Sequence, residues 1–314
     1  MTAPVREALM TVLALAVGAG IGLGLIGPAI AVLPHDLARL RVVEAALPTT
    51  TKAVFGNSVC MNGVDTNLID PALRNLCTVG QSLGVAMIFV DAMPEEAEEI
   101  VLVVGVRDLE FPDPVLNARP YDFLRQGGTR PSTEVLDILR RFLPADFALE
   151  RNPAERLFAL RFIVQQAPQT ELRKLVRSDL DEGGSMTSLH APAPYQKKAA
   201  PHKTAMRLAA ISAKARSPGF HPDKKRDRFL RLLIARAQKK AKRVTVVLAP
   251  SHPALDDYFG ADFFAQARTY AHSLGAPVVD TMHLLPAADF LDHVHPSRNG
   301  AERLSLAIAQ GLRH

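Results

Sequence analysis

Two stretches restrict the fold of this chain more than any others. Ile100 to Val104 and Val244 to Leu248 are nearly unbroken runs of β-branched and Leu residues, closed by Gly105 and followed by Pro250. Runs of this kind read as strands buried on both faces, and such strands occur where helices cover the two sides of a parallel sheet. Weaker runs share the pattern: Ala53 to Phe55 before Gly56, Leu76 to Val79 before Gly80, and Pro277 to Val279 before Asp280. Helix-length patterns lie between and after them, at Leu83 to Met93, Asp227 to Lys242, Phe259 to Leu274 and about Asn299 to Leu312. The alternation predicts right-handed βαβ units and a three-layer, doubly wound, mostly parallel α/β sheet. With 314 residues, 48% of them hydrophobic, the chain has enough apolar side chain to fill both interfaces of such a sheet.

The alternation stops between residues 111 and 222. Asn152-Pro153-Ala154-Glu155 is a helix start with an N-cap, a proline in the first turn and a capping Glu, and Leu157, Leu160, Phe162 and Ile163 supply an apolar stripe. From Asp179 to Pro222 the composition shifts to Gly, Ser, Pro, Ala and Lys, as in a mobile loop. Four regions result: 1–35 as a transmembrane anchor or signal, 50–110 as the first part of the α/β domain, 111–222 as a helical insertion or lid, and 223–314 as the second part. Region 1–35 is set by Ala8 to Leu33, which holds no ionisable residue. About 20 apolar residues at 1.5 Å each cross a hydrocarbon core of roughly 30 Å, so a single membrane-spanning helix is expected. Ala29-Ile30-Ala31 also fits a signal-peptidase site, and the cleaved alternative stays open. Either way the bulk of the chain is expected outside the cytoplasm.

The net charge of +5 conceals a division. Lys197 to Arg243 holds 16 Lys and Arg against two acids, Asp223 and Asp227, or +14, which leaves −9 for the rest. The helix from Asp227 explains part of this: Phe229, Leu230, Leu233, Ile234 and Ala237 form a stripe, with Lys225, Arg228, Arg236, Lys239 and Lys240 outside it. Those charges suit a solvated face, and alternatively anionic lipid headgroups or an anionic glycan. Nucleic acid is a poor partner for them, since the chain has no Trp and few aromatics interleave with the charges.

Val54-Phe55-Gly56-Asn57-Ser58 puts a serine just past the carboxyl end of the first strand, the edge where ligands and nucleophiles gather in open α/β sheets. A hydroxyl needs a base to become a nucleophile. Asp292-His293-Val294-His295 precedes the last helix and supplies one in His295, with Asp292 to fix its tautomer. Taken singly, Ser58 reads equally as a helix cap, Gly80 as a turn glycine, and Asp292 with His295 as a surface pair. His252 and His293 read as structural or substrate-facing, without a third ligand at metal-binding spacing. Asp280 follows a strand and competes with Asp292 for the acid role, but reads first as a turn or cap residue, and no cofactor is expected.

Gly56-Asn57-Ser58, the Gly80 loop, Asp292-x-x-His295 and the following Pro296-Ser297-Arg298-Asn299-Gly300-Ala301 occur in the order seen in the SGNH (GDSL-type) hydrolases, and the chain resembles that family over roughly residues 50 to 110 and 225 to 314. The resemblance implies Ser58 as nucleophile, His295 as base, Asp292 as its partner, and the backbone N–H groups of Ser58 and Gly80 as an oxyanion hole. Two positions depart from the family pattern. Asn57 replaces the usual Asp before the serine, and Gly105-Val106-Arg107-Asp108 stands where the family has Gly-x-Asn-Asp, so that Arg107 takes the place of an oxyanion donor. Loss of such a donor costs about 10²–10³ in rate. Cys60 and Cys77 flank the two loops, and either a disulfide in an oxidising compartment or two buried thiols fits them. The implied activity is that of an extracytoplasmic, membrane-anchored serine esterase acting on O-acyl groups of an envelope polysaccharide. Alternatives are an O-acetyltransferase using the same triad and a catalytically silent glycan-binding protein, each with polysaccharide-assembly partners.

Overall fold

A computed structural model describes residues 35–78, 80–106, 109, 129–142, 188–192, 198–212 and 219–313. The chain divides into two compact units, residues 1–38 with 151–179, and residues 39–150 with 180–314; the strands found among the described residues belong to the second. The expected membrane span, the Asn152 helix start and Arg107 lie outside the described residues. Among the described residues no helix is long and apolar enough to cross a membrane.

The fold is α/β. Five strands, β1 (Lys52–Phe55), β2 (Arg74–Asn75), β3 (Ala97–Val104), β4 (Ala241–Leu248) and β5 (Val278–Asp280), pair in the order β2-β1-β3-β4-β5, every pair parallel. β3 and β4 are the two strongest apolar runs of the sequence, and they sit side by side at the centre, paired from Ala97 opposite Ala241 to Val104 opposite Leu248. The helices are α1 (His35–Ala46), α2 (Ser58–Gly63), α3 (Leu83–Ala92), α4 (Thr133–Phe142), α5 (Pro201–Ser212), α6 (Lys224–Lys240), α7 (Asp256–Phe259), α8 (Ala261–His272) and α9 (Arg298–Gly311).

Alternating strand residues feed two cores. Ala53, Phe55, Ile100, Leu102 and Val104 pack with α3 and α6, while Val54, Val101, Val103 and Val247 pack with Cys60 and Met61 of α2 and Leu304 and Ile308 of α9. Gly84 to Asp91 of α3 is buried throughout, as expected for a helix apolar on all sides. The described parts of region 111–222 join this body. Val135, Leu139 and Phe142 of α4 enter the first core, and Phe142 meets Phe229 edge-on at 5.0 Å. Leu189 O accepts from Asn75 N and His190 O from Thr66 N, which covers the outer edge of β2.

Four sequence expectations are corrected. The strand expected over Leu76 to Val79 lies earlier, at Arg74–Asn75. Beyond it the chain runs irregularly beside β1: Leu76 N donates to Val54 O and Thr78 N to Gly56 O, and the carbonyls that a strand would pair are taken by Arg39, whose guanidinium donates to Cys77 O and Asn75 O. The helix expected from Asp227 to Lys242 runs over Lys224–Lys240, because Asp223 caps its start and Ala241 opens β4. The helix expected from Phe259 to Leu274 breaks at Gly260, φ 77°, into α7 and α8. Lys240, expected on the solvated face, is buried with its ammonium on Met93 O and Glu95.

Cys60 and Cys77 are joined by a disulfide that ties α2 to the segment after β2 across 17 residues. Closing a loop of that length is worth about 3 kcal/mol in the chain-entropy account. The Cys60→Ala/Cys77→Ala protein is therefore expected to lose about 3 kcal/mol in equilibrium urea unfolding, and mass analysis of the unreduced wild type after alkylation is expected to find no modified thiol. Two alkylated thiols would contradict the bond.

Candidate active site

Ser58 reaches the carboxyl edge of the sheet because β1 is followed by a residue that must lack a side chain. A Cβ on Gly56 would stand 2.8 Å from both the Val103 carbonyl and the Cys60 Cβ, so only glycine lets the chain turn there between β3 and α2. Gln81, itself buried, accepts from Gly56 N at 2.6 Å and donates to Leu76 O at 3.1 Å, clamping the turn to the loop after β2. Asn57 then caps α2, its side chain accepting from Val59 N at 3.0 Å. Asn57 and not Ser58 is thus the helix cap, and Ser58 is the first residue of the helix.

The histidine comes from the other end of the chain. Residues 289 to 297 form a loop closed by Ser297 N on Asp289 O at 2.6 Å and Leu291 N on His295 O at 2.9 Å. Helix α9 follows at once, with Ser297 as its cap. It lies against α2: Asp65 N donates to Ser305 Oγ at 2.8 Å, and a Cβ on Gly63 would touch Pro296 at 3.0 Å. This packing brings together side chains 237 positions apart, and His295 Nε2 lies 2.9 Å from Ser58 Oγ.

His295 Nδ1 lies 2.9 Å from Asp292 Oδ2, while Asp292 Oδ1 accepts from Val294 N and His295 N, both at 2.8 Å. A carboxylate only accepts, so Nδ1 carries the proton and Nε2 is the acceptor facing the Ser58 hydroxyl. Burial alone would raise the Asp292 carboxyl. The hydrogen bond from His295, the two backbone donors and the nearby imidazole outweigh it and hold the group far below the usual carboxylate range. Asp292 is therefore ionised at any pH where the imidazole works as a base.

The remaining candidates take other places. Gly80 has φ 63°, a conformation that favours glycine, and it lines a cleft together with Gly56, Asn57, Gln81 and Gly105. His252 is buried against the Phe290 ring at 5.0 Å, and its Nδ1 accepts from Ala254 N; burial lowers its pKa, against the opposing pull of the Asp292 charge. His293 Nδ1 stands 3.8 Å from Asp292 Oδ1, beyond hydrogen-bond length. Asp280 pairs with Arg268 and accepts from Met282 N, a turn role. Among the described residues no three His, Cys, Asp or Glu side chains converge as a metal would require.

The cleft opens between the ends of β1 and β3, where the strand order reverses direction, which is the usual ligand crevice of an open α/β sheet. It runs on to Leu233 and Arg226 of α6. Arg226 was hidden among the other charges of the helix, yet the signal existed: with Leu230, Leu233 and Ala237 it falls on the buried stripe, at i, i+4, i+7 and i+11. Gln81 carried no comparable mark. No protein-family model and no curated protein matches the chain.

Because the folded Asp292 pKa lies below the unfolded value near 4, its ionised form stabilises the fold above that value, and the contribution is lost as the pH falls below it. The stability difference between wild type and Asp292→Asn, read by urea unfolding, is expected to be full at pH 7 and to shrink below about pH 4. A difference constant with pH would remove the carboxylate's hydrogen bonds as its source.

Proposed function

We propose that this chain is a serine esterase of the SGNH type, anchored in the cell membrane by its amino-terminal segment and acting outside the cytoplasm on O-acyl esters of an envelope polysaccharide. The observation that carries the catalytic part is the continuous relay from Asp292 through His295 to Ser58, with both contacts at 2.9 Å. The compartment and the polysaccharide rest on the apolar run Ala8 to Leu33 and on the family resemblance.

In the first step the Ser58 Oγ bonds to the ester carbonyl carbon while its proton passes to His295 Nε2, and Asp292 stabilises the imidazolium that forms. Backbone N–H groups of Ser58 and Gly80 take the oxyanion, with Arg107 as a further donor. Collapse breaks the bond to the leaving alcohol, which departs with the proton from His295. Water then attacks the acyl-Ser58 ester, giving its proton to the same nitrogen, and the carboxylic acid leaves as Ser58 regains its hydrogen. A sugar hydroxyl in place of that water would make the same acyl-enzyme a transferase.

A fluorophosphonate is expected to label the wild type and not Ser58→Ala. Equal labelling of both, or of neither, would overturn the assignment. Ester turnover is expected to fall on the order of 10⁴-fold in Asp292→Asn, since an amide no longer enforces the working tautomer. A loss of only severalfold would remove Asp292 from the relay.

A further inference from the structure

Pro296 directly follows the candidate base His295, is buried, and is met by glycines of two different helices. A Cβ on Gly63, the last residue of α2, would stand 3.0 Å from Pro296 Cγ and 3.2 Å from Leu304 Cδ2. A Cβ on Gly300, in the first turn of α9, would stand 3.1 Å from Pro296 Cβ and would overlap the Asp289 carbonyl oxygen. That oxygen closes the catalytic loop by accepting from Ser297 N at 2.6 Å. Neither glycine has a positive φ, so an alanine could adopt either backbone conformation. Within a helix glycine is the less stable choice. Space accounts for both: α2 and α9 close on the proline ring to a distance that a methyl group forbids.

We propose that the stack of Gly63, Pro296 and Gly300 is a spacer that sets the distance from His295 to Ser58, and that these three are positioning residues of the relay. This rests on the esterase reading of Ser58. Ser58 opens α2 and Gly63 ends it, so the seat of Gly63 on the ring places the nucleophile. His295 is covalently joined to Pro296 and bonded to Asp292 in the same loop, so the position of the ring places the base. Leu304 can turn the end of its side chain away from a new methyl group. The ring is held, because Phe290 bridges Pro296 and Ser297 N is fixed on Asp289 O. A methyl group on either glycine therefore moves the loop away from α2 and opens the 2.9 Å contact between His295 Nε2 and Ser58 Oγ, which proton transfer needs at hydrogen-bond length.

The test is a double-mutant cycle on the detergent-solubilised full chain, with the rate of fluorophosphonate labelling as the readout and circular dichroism to show that each variant folds. Gly63→Ala is expected to label about tenfold more slowly, and Gly300→Ala, whose overlap is deeper, about 10²-fold more slowly, the cost of a reacting group misplaced by about 1 Å. In a Pro296→Ala background the ring atoms facing Gly63 are gone, and Gly63→Ala is expected to cost less than about twofold there. Gly300→Ala is expected to stay slow in that background, since the Asp289 carbonyl remains. A second readout needs no turnover: the nitrogen NMR resonance of His295 Nε2 in Gly63→Ala is expected to move toward its position in Ser58→Ala, and to return in Gly63→Ala/Pro296→Ala. If the wild type labels but either readout ignores Gly63→Ala, or the effect survives Pro296→Ala, the spacer is overturned and the esterase stands. The resonance pattern without labelling of the wild type keeps the spacer and overturns the esterase. No labelling of the wild type, with a His295 resonance indifferent to every variant, overturns both.

Discussion

The structure depends on one close approach, the turn at Gly56 pressed against the Val103 carbonyl and the Cys60 Cβ. A side chain there would push α2 away from the sheet and carry Ser58 with it. Every other fastening near the site serves the same geometry. Gln81 holds the turn from one side, the Cys60–Cys77 disulfide fixes α2 to the segment after β2, and Arg39 holds the carbonyls of that segment. Overpacked cores relax at a cost of about 1–3 kcal/mol, but a reacting group misplaced by about 1 Å can cost about 10²-fold in rate. Catalysis sets a stricter tolerance at this turn than stability does.

The two halves of the relay are supported differently. Ser58 stands on a short helix held by covalent and side-chain ties, whereas Asp292 and His295 stand on a loop whose shape comes from its own backbone bonds. Asp292 does two tasks in that loop: one oxygen accepts from two backbone N–H groups and fixes the turn, and the other faces the imidazole. The same hydrogen bonds that order the loop hold the carboxylate ionised, so loop folding and base orientation are one event. The three-residue spacing allows this, since a carboxylate can bond the N–H groups two and three residues on while still reaching the ring.

Much of this was legible in residue order. The runs at Ile100 and Val244 became the paired central strands, because short β-branched runs closed by Gly or Pro suit strands buried on both faces. Ser58, Asp292 and His295 were legible through position, since each follows a strand or precedes a helix where such groups meet. The edge strand was not. Leu76 to Val79 is apolar because Leu76 and Cys77 pack inward, while its carbonyls are met by a guanidinium from α1, a long-range contact with no local trace. Lys240 was misjudged and Arg226 passed over for a related reason: in a helix so rich in charge, two cations on the buried side look like the rest.

Those two cations show that the +14 segment is not one surface. Along α6, Lys240 pairs with Glu95, Arg236 with Asp91 and Glu134, Lys239 with Glu134 and Arg231 with Asp227, so four of the helix's eight cations are tied to carboxylates within the fold. The two more exposed pairs, Lys239–Glu134 and Arg231–Asp227, contribute under about 1 kcal/mol each, and together the pairings draw part of the helix's charge away from its outer face. Arg226 is placed differently, at the carboxyl edge of the sheet where the crevice opens. Its place on the buried stripe of α6, in the lining of the cleft, takes one more charge of the segment off the outer face.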